Sequence, residues 1–241
     1  YEIHERLVGS EMCIRDSNIL LYQNPPCRAV LGYENEISRS MQKDCKGKHV
    51  WFPRLHDTDN GAFLRKEDGM LCMAEDGVVT PFLAQKDIKL RGLHNIENLL
   101  AAAAAVWGEV PVEAIQKVGS TFTGVEHRIE PVRTLDGVLY YNDSIGTSPT
   151  RTIAGLRSFD QKIILIAGGY DKKIPFDALG PEICAHVRLL ILCGATAEKI
   201  EAAVKSAPDY RPGQPEILHA QTLEEAVRLA KRHTVPGDIV T

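Results

Sequence analysis

In the stretch YNDSIGTSPTRT, Asp143, Ser144 and Thr147 follow directly on the apolar, aromatic run Val138–Tyr141, with Ser148 and Pro149 close behind. An acid and hydroxyls at the end of such a run can hold the polar end of a small ligand. They can equally form a capped turn, because Asp, Ser and Thr bond to nearby backbone, Ser148 is a good N-cap and Pro149 fits a first helical position. The next apolar run ends in AGGYDKK (167–173). Its glycine pair permits a sharp turn, and Lys172 adds a mobile cation able to meet a carboxylate or a phosphate. The spacing matches neither the phosphate-cradling G-x-x-x-x-G-K-[ST] loop nor the G-x-G-x-x-G dinucleotide fingerprint.

Two further segments carry amides and cations. GLHNIEN (92–98) sets Asn95 and Asn98 one turn apart at an expected helix start. They form a cap and a solvated amide, or a carboxamide edge able to pair with the Hoogsteen edge of adenine beside a helix N-terminus that suits an anion. FTGVEHRIE (122–130) places Arg128 at an expected domain boundary, where it makes a salt bridge or clamps a phosphate on closure. His56-Asp57 with Asp59, followed by Asn60-Gly61, reads as a polar loop and no metal site is assigned there.

These side chains need elements to position them, and the two halves of the chain differ. Ala62–Lys66, Met70–Met73 and Val78–Leu83 are short runs separated by Asp-Gly turns, which predicts an antiparallel meander, with Ala29–Gly32 a strand ahead of it. Helices are expected from Ile96 to Trp107, capped by Asn95, and from Pro111 to Val118. The boundary falls in Gly119–Gly124. Beyond it, strands at Val138–Asn142, Lys162–Ala167, Leu189–Cys193, Glu216–His219 and from Ile239 alternate with helices at Pro149–Phe159, Pro175–His186, Ala197–Lys205 and Leu223–Arg232. Apolar strands interleaved with helices predict a parallel sheet covered on both faces, a doubly wound α/β domain. Ligands of such sheets bind beyond the carboxyl ends of the strands, where Asp143, Thr147 and Lys172 would converge.

The totals bound the answer. The chain has 241 residues and a net charge of -4, which argues against a protein that grips nucleic acid by its phosphates. The six cysteines contain no C-x-x-C pair and read as reduced, mostly buried thiols of a cytoplasmic protein. The longest apolar run, Leu99–Trp107, is too short to span a bilayer, and no membrane partner is expected. Residues 1–17 show no helical or strand period and are read as a non-native leader.

RGLHNIENLLAAAAA, F-T-G-x-x-HR-x-E, YYNDSIGTSPT and IAGGYDKK, in that order, resemble the Mur ligase family, as do NILLYQN (18–24) and ENEISRSM (34–41). The resemblance covers residues 18–241. It implies the C-terminal part of a central ATP-binding domain over 18–122, and a Rossmann-like C-terminal ligase domain over 123–241. The implied chemistry is ATP-dependent: a carboxylate of UDP-N-acetylmuramoyl-L-alanine becomes an acyl phosphate, and the amine of D-glutamate attacks it, with Mg2+ screening the phosphates. By position, Asn95 and Asn98 would hold adenine, and Arg128 and Asp143 would contact the phosphates and ribose. Thr147 and Lys172 would receive the carboxylates of D-glutamate. Lys172, Asp143 and Arg128 are the expected catalytic residues, and a monomer acting on small molecules is expected.

Departures from the family pattern sharpen this reading. Ile145 stands where a lysine is common. The phosphate-binding loop, the magnesium-binding acid and the UDP-substrate domain should all precede residue 18. The family's modified lysine should fall near Arg15-Asp16-Ser17, and a Ser-Pro segment soon after Thr241. The chain is therefore expected to be the back half of a ligase, without turnover by itself. The alternatives are another Mur or folylpolyglutamate-type ligase, and a non-catalytic nucleotide-binding module.

Overall fold

The computed structural model describes residues 28–241; the expected leader and the NILLYQN stretch lie outside them. The chain divides into two compact units between Phe122 and Thr123.

The first unit is built on a five-stranded sheet of order β1-β2-β3-β4-β5. Strands β1 (Arg28–Leu31), β2 (Lys48–Trp51) and β3 (Gly61–Arg65) run parallel. β4 (Met70–Glu75) and β5 (Val78–Ala84) complete the expected antiparallel meander. The sheet is thus larger than a meander: β2 offers a single buried side chain, Val50, and shows too little apolar pattern to be read in advance. A short helix α1 (Glu36–Ser40), capped by the Asn35 side chain, links β1 towards β2.

Helix α2 (Leu93–Val106) lays Ile96, Leu100, Ala103 and Ala104 against Val50, Ala62, Leu64, Leu71 and Met73 of the sheet. It starts two residues before the expected cap. Gly92, at φ 91°, takes the N-cap position, and Asn95 lies inside the first turn with its N–H donated to the Gly92 carbonyl (3.1 Å). Helix α3 (Val112–Thr121) outruns its expected end at Val118. Gly119 belongs to its packed face, since a Cβ there would come within 2.5 Å of Leu83. Ser120 and Thr121, expected as linker, donate their hydroxyls to the carbonyls of Gln116 and Lys117.

The second unit has a six-stranded sheet of order β10-β9-β8-β11-β7-β6. β7 (Val138–Asn142), β8 (Ile163–Gly168), β9 (Val187–Cys193), β10 (Glu216–His219) and β11 (Ile239–Val240) are mutually parallel. β6 (Glu130–Leu135) is an antiparallel edge strand hairpinned to β7 through Asp136-Gly137, so the sheet is mixed rather than wholly parallel. Side chains alternate along the strands. Ile163, Leu165, Leu190 and Leu192 meet α4 (Pro149–Leu156), α5 (Leu179–His186) and α6 (Ala197–Lys205). Ile164, Leu189 and Ile191 meet Ala226 and Ala230 of α7 (Leu223–His233) on the other face. Burying each such Leu or Ile contributes about 1.5–3 kcal/mol, and helices on both faces explain why these strands read as unbroken apolar runs.

The base of the sheet is tied by Arg188 and Asp238. Arg188 pairs with the Asp238 carboxylate and donates to the His233 carbonyl (2.8 Å), while Asp238 also accepts the Val235 N–H (2.7 Å). This clamp fixes the entry to β11, which inserts between β7 and β8.

Candidate functional site

β7 ends at Asn142 and β8 at Gly168, and both point their carboxyl ends to the same edge of the sheet. Gly168 shows why a glycine pair stands there. Its φ is 139°, and a Cβ would lie 1.6 Å from the Cys193 carbonyl oxygen. Gly169, at φ 125°, accepts the Thr196 N–H (3.2 Å), tying the loop after β8 to the turn after β9. The loop then presents Asp171 and Lys172. Asp171 accepts the Lys173 N–H (2.8 Å) and pairs with Lys199 of α6 (2.5 Å), a bond that holds its carboxyl below the ordinary carboxylate range. Lys172 reaches the other way and donates to the Thr147 hydroxyl at 3.0 Å. The two residues expected to receive the ligand's carboxylates are therefore brought together, both exposed.

Asp143 anchors a second web. Its carboxylate accepts the Ile129 N–H (3.1 Å), and its carbonyl accepts the Gly146 N–H (2.7 Å). A Cβ at Gly155 of α4 would stand 3.2 Å from Asp143 Oδ2, and one at Gly146 only 2.7 Å, so both glycines make room for the acid. Asn142 and His127 bond through their side chains (2.8 Å), and the Ile145 N–H is donated to the His127 carbonyl (3.2 Å). His127 and Ile129 hold positive φ angles of 64° and 44°, a bend that these bonds stabilise. Arg128 sits between them, and its guanidinium makes no hydrogen bond or ion pair among the described residues. Asn142, Gly146, Gly155 and His127 support this local arrangement, and the sequence reading assigned none of them a role of its own. Only the position of Asn142 at a strand end gave a signal. Ser148 occupies the N-cap position of α4 as expected, but its side chain makes no capping bond.

Asn95 and Asn98 lie in the first unit. The Asn98 amide donates to Asn95 Oδ1 (3.2 Å), and the Asn95 amide donates to the Arg91 carbonyl (2.6 Å). Asn98 keeps its carbonyl oxygen and a second N–H, the acceptor and donor that an adenine edge requires, so the donor set fits a nucleotide. Among the described residues no group of three or more His, Cys, Asp or Glu side chains could hold a metal ion, and the magnesium that the resemblance implies finds no ligand set there. His56, Asp57 and Asp59 lie in the loop before β3, where Thr58 and Asn60 bond to the local backbone and His56 packs against Tyr33. The described cysteines, Cys45, Cys72, Cys184 and Cys193, are free thiols, each pushed up by burial. No helix among the described residues is long and apolar enough to cross a membrane.

Compared with known proteins, residues 127–241 match the family described as Mur ligase, glutamate ligase domain. The chain is 46% identical over 242 aligned residues to the UDP-N-acetylmuramoylalanine--D-glutamate ligase of Acetivibrio thermocellus, covering 99% of this chain and 51% of that one. It is 45% identical to the ligase of the same name from Clostridium beijerinckii, covering 93% and 48%. The chain thus spans about half the length of the curated relatives it matches. Among solved structures it is similar to MurF from Acinetobacter baumannii, with a TM-score of 0.67 at 17% identity over 95% of this chain and 51% of that one. It is also similar to UDP-N-acetylmuramate-alanine ligase MurC from Thermotoga maritima, with a TM-score of 0.61 at 13% identity over 88% and 46%. These two likenesses concern the fold, which is mixed α/β with a Rossmann-like second unit.

Proposed function

We propose, from the match of residues 127–241 to the Mur ligase glutamate ligase domain, that the chain forms part of an ATP-dependent ligase joining D-glutamate to UDP-N-acetylmuramoyl-L-alanine in peptidoglycan synthesis. The observation that carries this reading is the Lys172–Thr147 pair, 3.0 Å apart beyond the ends of β8 and β7. An ammonium and a hydroxyl so placed give a carboxylate two donors, one of them charged. They orient an acidic amino acid by its anionic groups and leave its amine free to attack.

The other residues serve the same reaction. Asp143 fixes the 127–130 segment through the Ile129 N–H and so sets the place of Arg128. Arg128, with no partner of its own among the described residues, is the cation for a phosphate. Asn95 and Asn98 take the adenine edge. When bound, ATP would supply the phosphoryl group that turns the acceptor carboxylate into an acyl phosphate. The D-glutamate amine then forms the amide and phosphate leaves. On this reading the enzyme acts on small molecules as a cytoplasmic monomer.

The test joins this chain to the upstream half of the Acetivibrio thermocellus relative and follows phosphate release. Release should require both D-glutamate and UDP-N-acetylmuramoyl-L-alanine. Lys172→Ala removes a charged hydrogen bond of about 1.5–3 kcal/mol and should raise the KM for D-glutamate about 10- to 100-fold. Equal use of other amino acids would favour a sister ligase. Unchanged kinetics for the variant would favour the non-catalytic module.

A further inference from the structure

Lys172 stands one residue from a carboxylate, Asp171, on the same exposed loop. An ammonium so close to an acid would ordinarily turn to it, and a Lys172 engaged with Asp171 could not reach across to β7. The structure shows Asp171 occupied instead. Lys199, projecting from the first turn of α6, binds Asp171 Oδ2 at 2.5 Å, and the Lys173 N–H binds Oδ1 at 2.8 Å. Lys173 is thereby held at φ 58°. The loop is pinned at its other end by the Thr196 N–H donated to the Gly169 carbonyl. Between these two anchors only Tyr170, 87% exposed, and Lys172 are free to project, and Lys172 meets Thr147. Lys199 itself has no role in the reading of the site given above.

We propose that Lys199 is a positioning residue for amino-acid binding: by neutralising Asp171, it leaves the Lys172 ammonium directed at Thr147 and available to the incoming carboxylate. The inference rests on the reading of Thr147 and Lys172 as the D-glutamate site. Lys199 touches no substrate and acts through Asp171. Its side chain is 52% exposed and lies outside the described cores, so its replacement leaves the fold intact. The depressed carboxyl of Asp171 agrees with the arrangement, its largest cause being the bond to Lys199.

The experiment titrates D-glutamate into the 241-residue chain and follows the backbone amide signals of Thr147 and Lys172 by NMR, with a melting curve for each variant. Lys199→Met keeps the aliphatic stem and should weaken D-glutamate about fivefold with an unchanged Tm. Asp171→Asn retains the acceptor for the Lys173 N–H but removes the competing charge. The double variant Lys199→Met/Asp171→Asn should therefore return to within about twofold of the parent. A purely structural tie would instead leave the double variant as weak as Lys199→Met. Lys199→Gln repeats the first measurement should Lys199→Met melt early. The proposal is overturned if Lys199→Met binds like the parent, or if Asp171→Asn does not restore it. Lys172→Met separates this failure from that of the underlying reading. If the parent does not bind D-glutamate, or Lys172→Met binds it as well as the parent does, the site assignment itself has failed.

Discussion

Gly168→Ala and Gly169→Ala form a matched pair that tests how the carboxyl end of the sheet is built. The two glycines are adjacent and both lie at positive φ, 139° and 125°. A methyl at either position is held in a backbone conformation that L residues avoid, at about 1–3 kcal/mol. They differ in what the methyl meets. At Gly169 there is nothing within 4 Å, whereas at Gly168 the new Cβ would lie 1.6 Å from the Cys193 carbonyl oxygen and 2.7 Å from its carbon. Those atoms are backbone of the neighbouring strand β9 and cannot rotate away, so the ends of β8 and β9 must part. Overpacking of this kind adds about 1–3 kcal/mol or more. Gly169→Ala should thus lose about 1–3 kcal/mol and Gly168→Ala about 2–6 kcal/mol, a large part of the 5–15 kcal/mol of an ordinary domain. Urea unfolding followed by far-ultraviolet circular dichroism measures both. Equal losses would refute the reasoning, because the backbone angle alone would then account for the effect and the close approach of the strands for none of it.

Two further outcomes follow from charged groups away from the site. Arg188→Met leaves the largely buried Asp238 carboxylate without its cation and should destabilise the chain by about 2 kcal/mol in the same urea assay; Arg188→Met/Asp238→Asn should recover part of that loss. Glu182 is held below its ordinary value of 4.5, first by the hydrogen bond from Arg157, so its contribution is present above pH 4.5 and is lost as pH falls through the lower folded value. Melting temperatures between pH 7 and pH 3 should therefore fall less steeply for Arg157→Met than for the parent, and parallel curves would remove Glu182 from the account.

What the sequence revealed and what it hid have a common physical cause. β8 and β9 lie between helix layers, so Ile163–Ile166 and Leu189–Leu192 are apolar on both faces and read as strands without ambiguity. β6 is an edge strand whose residues Pro131–Thr134 are exposed, and no apolar pattern marks it. Its only signal is the Asp136-Gly137 turn, the same dipeptide that correctly marked the meander of the first unit. Helix ends were misplaced where glycine serves two purposes. Gly92 begins α2 through its positive φ, while Gly119 sits inside α3 because Leu83 leaves no room for a side chain. Spacing alone does not separate these uses.

The site shows the same division. Its residues belong to loops at strand ends, and the sheet order explains why those loops meet. β11 lies between β7 and β8, so the ends of β7 and β8 are two strand spacings apart, roughly 10 Å. That gap lies at the carboxyl edge of the strands, where ligands of open parallel sheets bind. Thr147 lies five residues beyond Asn142 and Lys172 four beyond Gly168, enough chain on each side to bridge that gap. Residue type and family pattern could name both residues, since each stands in a segment of unusual polarity. They could not name Lys199, because in AEKIEAAVK it is indistinguishable from any solvated lysine of an amphipathic helix. Its relevance comes only from α6 setting its ammonium against Asp171. An anion-binding site made of exposed side chains needs its own carboxylates held elsewhere, and the partner that holds them is set by the fold and not by the motif.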